Sequence, residues 1–136
     1  MDNAWFIFSH EKTLLDSRID AVFKRLNELQ LLNDLRLAKN IAQHYAHKGD
    51  RFISRLLQQK GFEEIVINQA LSSLDNEISR ALEEARIKLG ATWDNSEQSI
   101  TLLYRFLSGR GFSESTINAV MKKLNNAKRY LLLKAA

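Results

Sequence analysis

His44 and His47 stand three residues apart, a spacing that can set two imidazoles on one helix face and hold a metal ion if a third ligand joins them. No acidic residue lies in the register such a site needs and no third ligand is at hand, so the pair reads as surface or interface side chains. Asp94 and Glu97 offer two carboxylates at the same spacing. Acid–base work needs neighbours that push such a pair's pKa values apart, and none are near. Asp-x-x-Glu ahead of an apolar run is instead a loose capping box. Ser, His and Asp all occur, but never in a nucleophile-elbow pattern. The five glycines are isolated, so no phosphate-cradling loop exists. With no cysteine in the chain, disulfides, thiol catalysis and Cys-type zinc sites are excluded together. These residues describe a protein that is not an enzyme, has no cofactor or metal, and acts by binding.

The charge pattern suggests what it binds. Residues 1–50 hold seven basic and seven acidic side chains, and residues 51–100 hold six and eight. Residues 101–136 hold seven basic residues and only Glu114, a balance of +6 against +4 for the whole chain. A field concentrated at one end points to a polyanion or an acidic protein surface. Candidate contacts are Arg105, Arg110, Lys122, Lys123, Lys128 and Arg129, with Tyr104 and Tyr130 near enough in sequence to stack on bases. Arg55 and Lys60 occupy the positions of Arg105 and Arg110 fifty residues earlier. No apolar stretch approaches the roughly 20 residues of a membrane span, and "AWFIF" at 4–8 is too short for a signal-peptide core. The expected setting is a reduced cytoplasm, and the expected state a monomer.

The spacing of fifty is the organising feature. Residues 51–74 and 101–124 align without a gap, and eight of twenty-four positions are identical: Arg55/Arg105, Leu57/Leu107, Gly61/Gly111, Phe62/Phe112, Glu64/Glu114, Ile67/Ile117, Asn68/Asn118 and Leu74/Leu124. Apolar residues recur at threes and fours in both copies, as in Phe52, Ile53, Leu56, Leu57 and in Leu102, Leu103, Phe106, Leu107, which is the period of an amphipathic helix. Gly61 and Gly111 fall where a helix stops with a left-handed residue. Phe62 and Phe112 then fold back over the helix end. The chain lacks proline and is rich in Leu, Ala, Lys, Arg, Glu and Gln, a helical composition. Residues 16–26 echo 64–74 at a shift of forty-eight, and 32–49 reads as a further helix opened by Asn33 or Asp34. The expected fold is all-α, in tandem three-helix repeats: a partial unit over 1–49, a second over 50–92 and a basic third over 93–136.

At 31–62 the sequence resembles the RecX family of bacterial RecA regulators. Leu31-Leu32-Asn33-Asp34-Leu35-Arg36-Leu37-Ala38 is similar to that family's gly-(leu/tyr)-leu-(asn/asp)-asp-x-arg-(phe)-ala helix opener. Leu56-Leu57-Gln58-Gln59-Lys60-Gly61-Phe62 and Phe106-Leu107-Ser108-Gly109-Arg110-Gly111-Phe112 are similar to its helix-ending runs, and the likeness covers about residues 16–124. The chain departs from it before the central helix, where Lys48-Gly49-Asp50 replaces gly-x-gly-pro, and at Leu56, where the family has Glu. The resemblance implies an elongated, curved, right-handed helical array that enters the groove of the RecA–single-stranded-DNA filament. There it would inhibit strand exchange, ATP turnover and co-protease activity, and so modulate DNA repair. A basic helical protein that binds single- or double-stranded DNA without RecA is the alternative.

Overall fold

The structure, a computed structural model, describes residues 2–135, apart from the side chains of 2–9, 91, 130, 131 and 135. Among the described residues six α-helices follow one another: α1 Asp2–His44, α2 Asp50–Gln59, α3 Glu64–Ser72, α4 Glu77–Leu89, α5 Glu97–Gly109 and α6 Glu114–Ala135. Among the same residues there is no strand. The all-α expectation therefore holds.

Two expected helix breaks are absent. Residues 16–26 and 32–44 lie on one uninterrupted helix of 43 residues. No glycine or proline lies between 2 and 48, so nothing in the backbone forces a stop. Gln30 stands where the RecX-type opener carries glycine. Its side-chain amide donates to Asp34 at 3.0 Å across one turn, so Asp34 is a mid-helix partner and not a cap. The end of the third unit, expected as a separate helix from residue 126 onward, continues α6 as far as Ala135 for the same reason: nothing after Gly111 breaks it.

The helix ends that the repeat predicts are present in both copies. Gly61 has φ 90° and Gly111 φ 89°. The Phe62 amide donates to the Leu57 carbonyl at 3.2 Å and the Gly61 amide to Gln58 at 3.0 Å. Phe112 and Gly111 make the same pair of bonds to Leu107 and Ser108, at 3.1 and 3.0 Å. This is the Schellman arrangement, with the aromatic residue just past the glycine. At the other ends, Asn76 caps α4 by accepting from the Ile78 amide at 2.7 Å. Ser96 caps α5 by accepting from Ser99 at 3.2 Å. The expected Asp94–Glu97 box is thereby shifted: Asp94 sits before the cap and accepts from the Ser96 amide and the Ser99 hydroxyl.

Two buried clusters organise the chain. One joins the end of α1 with α2 and α3, around Ala38, Ala42, Ile53, Leu57, Ile67 and Ala70. The other joins α4, α5 and α6, around Ala81, Ala85, Leu103, Leu107, Ile117 and Val120. Paired alanines four apart let the first helix of each cluster approach its neighbours closely. The packing thus groups α4 with the helices that follow it, where the sequence phasing of fifty attached it to those before. Both grouping and echo rest on one principle: each helix must cover its apolar stripe, and the nearest matching stripe decides which neighbour does so.

Candidate partner-binding surface

The expected contact residues divide into those the fold consumes and those it leaves outside. Arg110 belongs to the first group. Its guanidinium lies 3.4 Å from Glu84, 3.5 Å from the His47 carbonyl and 4.7 Å over the Phe106 ring. Lys128 is also engaged, donating to the Trp93 carbonyl at 2.9 Å where the chain turns between α4 and α5. Tyr104, expected to stack on bases, is half-buried against the second cluster and donates its hydroxyl to Asn118. Tyr130 lies outside the described side chains.

The exposed group consists of Arg55 on α2, Lys60 at the end of α2, Arg105 on α5, and Lys122, Lys123 and Arg129 on α6. On α6 the positions 122, 126 and 129 follow one helix face, so Lys122 and Arg129 flank Asn126 along it. Arg129 also borders a shallow recess with Asp94, Asn95, Asn125 and Asn126. Hydrogen bonds from Ser96 and Ser99 hold the Asp94 carboxyl well below the usual carboxylate range, and the nearby charge of Lys128 lowers it further. Arg105 lines another shallow groove, with Thr101, Leu102 and Gln98. The repeat equivalents therefore diverge: Arg55 and Arg105 both face outward, whereas Lys60 is exposed and Arg110 is locked.

Sequence reasoning missed the residue that holds the two clusters in register. Arg80 is buried on α4 and gathers the turn between α1 and α2. It donates to the carbonyls of Ala46 at 3.0 Å, Lys48 at 2.7 Å and Asp75 at 2.9 Å, and pairs with the Asp50 carboxylate. Five guanidinium donors in a rigid fork suit such a set of acceptors. The only sequence signal is position, because Arg80 adjoins Ala81 on the face that α4 buries. His47 lies at the same joint. Burial lowers its pKa below the usual 6.5, and the nearby charges of Arg110 and Lys48 lower it further. His44 and His47 both pack on the Tyr45 ring, 5.1 and 6.2 Å between centroids. Among the described residues no group of three His, Asp or Glu side chains could hold a metal ion, and no helix is long and apolar enough to cross a membrane.

The chain is all-helical, with two three-helix clusters and exposed cations on its last helices. No protein-family model matches it. It is 34% identical over 111 residues to the regulatory protein RecX of Clostridium botulinum, a match covering 77% of this chain and 52% of that protein. It is 29% identical over 112 residues to the regulatory protein RecX of Prosthecochloris aestuarii, covering 80% of this chain and 74% of that one. The chain spans about half the length of the first relative and about three quarters of the second. The chain is thus similar to RecX regulatory proteins, in agreement with the resemblance read from the motif runs at 31–62 and 106–112.

Proposed function

We propose that this protein regulates RecA by docking on the RecA–single-stranded-DNA filament and inhibiting its recombinase, ATPase and co-protease activities. The observation that carries the reading is the RecX likeness over most of the chain. It is supported by the six outward-facing cations: Arg55, Lys60, Arg105, Lys122, Lys123 and Arg129. Inhibition here is a matter of binding and not of chemistry. Stacked helical units offer the long surface such docking needs. The cations then meet the filament's DNA phosphates or acidic side chains, in the cytoplasm where RecA works.

The exposed cations of the last unit also favour a second reading, in which the protein binds DNA directly. One experiment separates the two. The protein is titrated against bare single-stranded DNA and against assembled RecA filament at two salt concentrations, with ATP hydrolysis followed in parallel. Filament regulation requires tighter binding to filament than to bare DNA, together with suppressed RecA turnover. Equal binding to both and unchanged turnover at stoichiometric excess would leave a plain DNA-binding protein.

A further inference from the structure

We propose that the joint between the two clusters is a hinge with a polar latch, at which the chain opens as two folded bodies. Each cluster has its own core, and among the described residues no buried apolar side chain belongs to both. The chain crosses from one to the other between Leu74, which packs on the first cluster, and Ile78, which packs on the second. Asp75 and Asn76 lie between these anchors and are exposed. A few exposed residues between two anchored side chains are enough to absorb a rotation of one body against the other.

What closes the joint is polar or backbone. From α4, the Arg80 guanidinium holds the turn at 45–50 through the carbonyls of Ala46 and Lys48 and the Asp50 carboxylate. Arg110, paired with Glu84, reaches the His47 carbonyl. The buried Gly49 amide donates to the Arg110 carbonyl. The apolar share is the close approach of Phe52 to Gly111. Beside these bonds runs a cleft, lined by Ala46 and His47 from one body and by Ser79, Glu83 and Glu84 from the other. Ser79 and Glu83 are exposed, so water already enters the seam.

A joint of this kind separates more readily than either core. Opening exchanges bonds to carbonyls for bonds to water, and the net cost of each exchange is small beside the gross strength of the bond. An apolar seam would resist through its whole hidden area. Contacts between bodies of one chain permit relative motion unless they are large and hydrophobic. A buried charged group is often no more stabilising than an apolar filling of the same space, and setting a register or a switch is its best-attested use. The joint is closed at rest, and its opening leaves both cores intact. The hinge belongs to the chain itself, whatever surface the protein docks on.

Native-state hydrogen exchange on the unmodified full chain tests the hinge. The Gly49 amide is released when the joint opens, whereas the Leu57 and Leu107 amides, inside α2 and α5, are released when a cluster unfolds. After correction for intrinsic rates, Gly49 should exchange at least about tenfold faster than both, as expected of a sub-global opening. Low urea should hardly change its rate, because the opening exposes little surface. A second measurement follows the two bodies directly. The chain has no cysteine, so spin labels placed at Gln59→Cys and Asn126→Cys, exposed on α2 and α6, report one distance across the joint. The parent should give a single narrow distance, and Arg80→Met should add a second population with helix content unchanged. Gly49 exchanging at the rate and with the urea dependence of Leu107 overturns the proposal, as does a folded Arg80→Met variant that keeps the parent's single distance. Should that variant lose its helices, the exchange result on the unmodified chain decides.

Discussion

The amide of Gly49 donates to the carbonyl of Arg110 at 2.8 Å, and this backbone contact ties the first cluster to the second. A Cβ built on Gly49 would fall 2.1 Å from the Gly111 oxygen, although Gly49 itself has an ordinary extended backbone, with φ −74°. Glycine is needed here for proximity and not for conformation. At Gly61 the need is reversed: φ is 90°, yet an added Cβ would touch nothing. Gly111 carries both constraints, with φ 89° and the Phe52 Cβ 2.8 Å from where its own would be.

Three alanine variants should therefore rank in a set order. Gly61→Ala should cost about 1 kcal/mol, the penalty of holding an L-residue left-handed. Gly49→Ala should cost about 2 kcal/mol or more through overpacking at the joint, and Gly111→Ala should cost the most. Urea unfolding measures all three. Gly49→Ala proving as mild as Gly61→Ala would mean that the two clusters separate easily.

Arg80 should be the costliest polar side chain to remove. Arg80→Met keeps the stem but leaves the carbonyls of Ala46, Lys48 and Asp75 without this donor. A destabilisation of about 2–4 kcal/mol is expected, since hydrogen bonds to a charged group contribute about 1.5–3 kcal/mol each and are not additive. Asp50→Asn should cost under about 1 kcal/mol, because that carboxylate is 42% exposed and screened by solvent. Similar effects for both variants would place the stabilisation in the ion pair and not in the carbonyl cage.

His47 gives the joint a pH dependence whose sign is fixed. Burial first, then Arg110 and Lys48, hold its folded pKa below 6.5, so the unfolded chain binds the proton more readily. Its contribution to stability is present above pH 6.5 and is lost as pH falls through the lowered folded value. Urea midpoints at pH 7.5 and 5.5 should differ more for the parent than for His47→Gln. An identical difference in both would assign the acid sensitivity to other groups.

What could be read in the sequence follows the range of the forces involved. The Gly61 and Gly111 stops are local, a glycine followed by phenylalanine behind an apolar stripe, and they were legible. The breaks expected near residues 26–32 and after 124 were inferred from the period alone, and the chain supplies no glycine or proline to make them. The sequence reading puts α4 in the second unit, over 50–92, because it follows 64–74 directly, whereas its buried face packs with α5 and α6. The repeated alanine pairs, Ala38 with Ala42 and Ala81 with Ala85, mark its place beside α5 and α6. Arg80 was invisible, since a lone arginine on a helix reads as solvated until the turn at 45–50 folds onto it. Among the expected contact residues, sequence could not tell Arg105 from Arg110. Their tertiary contacts separate them: Arg110 meets Glu84, the His47 carbonyl across the joint and the Phe106 ring, while Arg105 stays exposed.

That separation sharpens what the basic unit should do. If residues 101–136 meet phosphates, Lys122, Lys123 and Arg129 are the expected contacts on α6 that stand exposed for that role, while Lys128 is bound to the Trp93 carbonyl. Replacing the first three by Ala should leave stability within about 0.5 kcal/mol, as for other surface changes. Each phosphate no longer neutralised should lower the log–log salt slope on single-stranded DNA by about 0.7. Lys128→Ala should behave in the opposite way, lowering the unfolding midpoint with little effect on the slope. Arg105→Ala should act with the α6 cations. Arg55→Ala, its equivalent in a unit with excess acid, should alter filament binding more than binding to bare DNA. Fluorescence anisotropy at several salt concentrations, paired with urea unfolding of each variant, reads both properties. A triple variant with an unchanged slope on DNA and unchanged affinity for filament would reduce these cations to a solvated face.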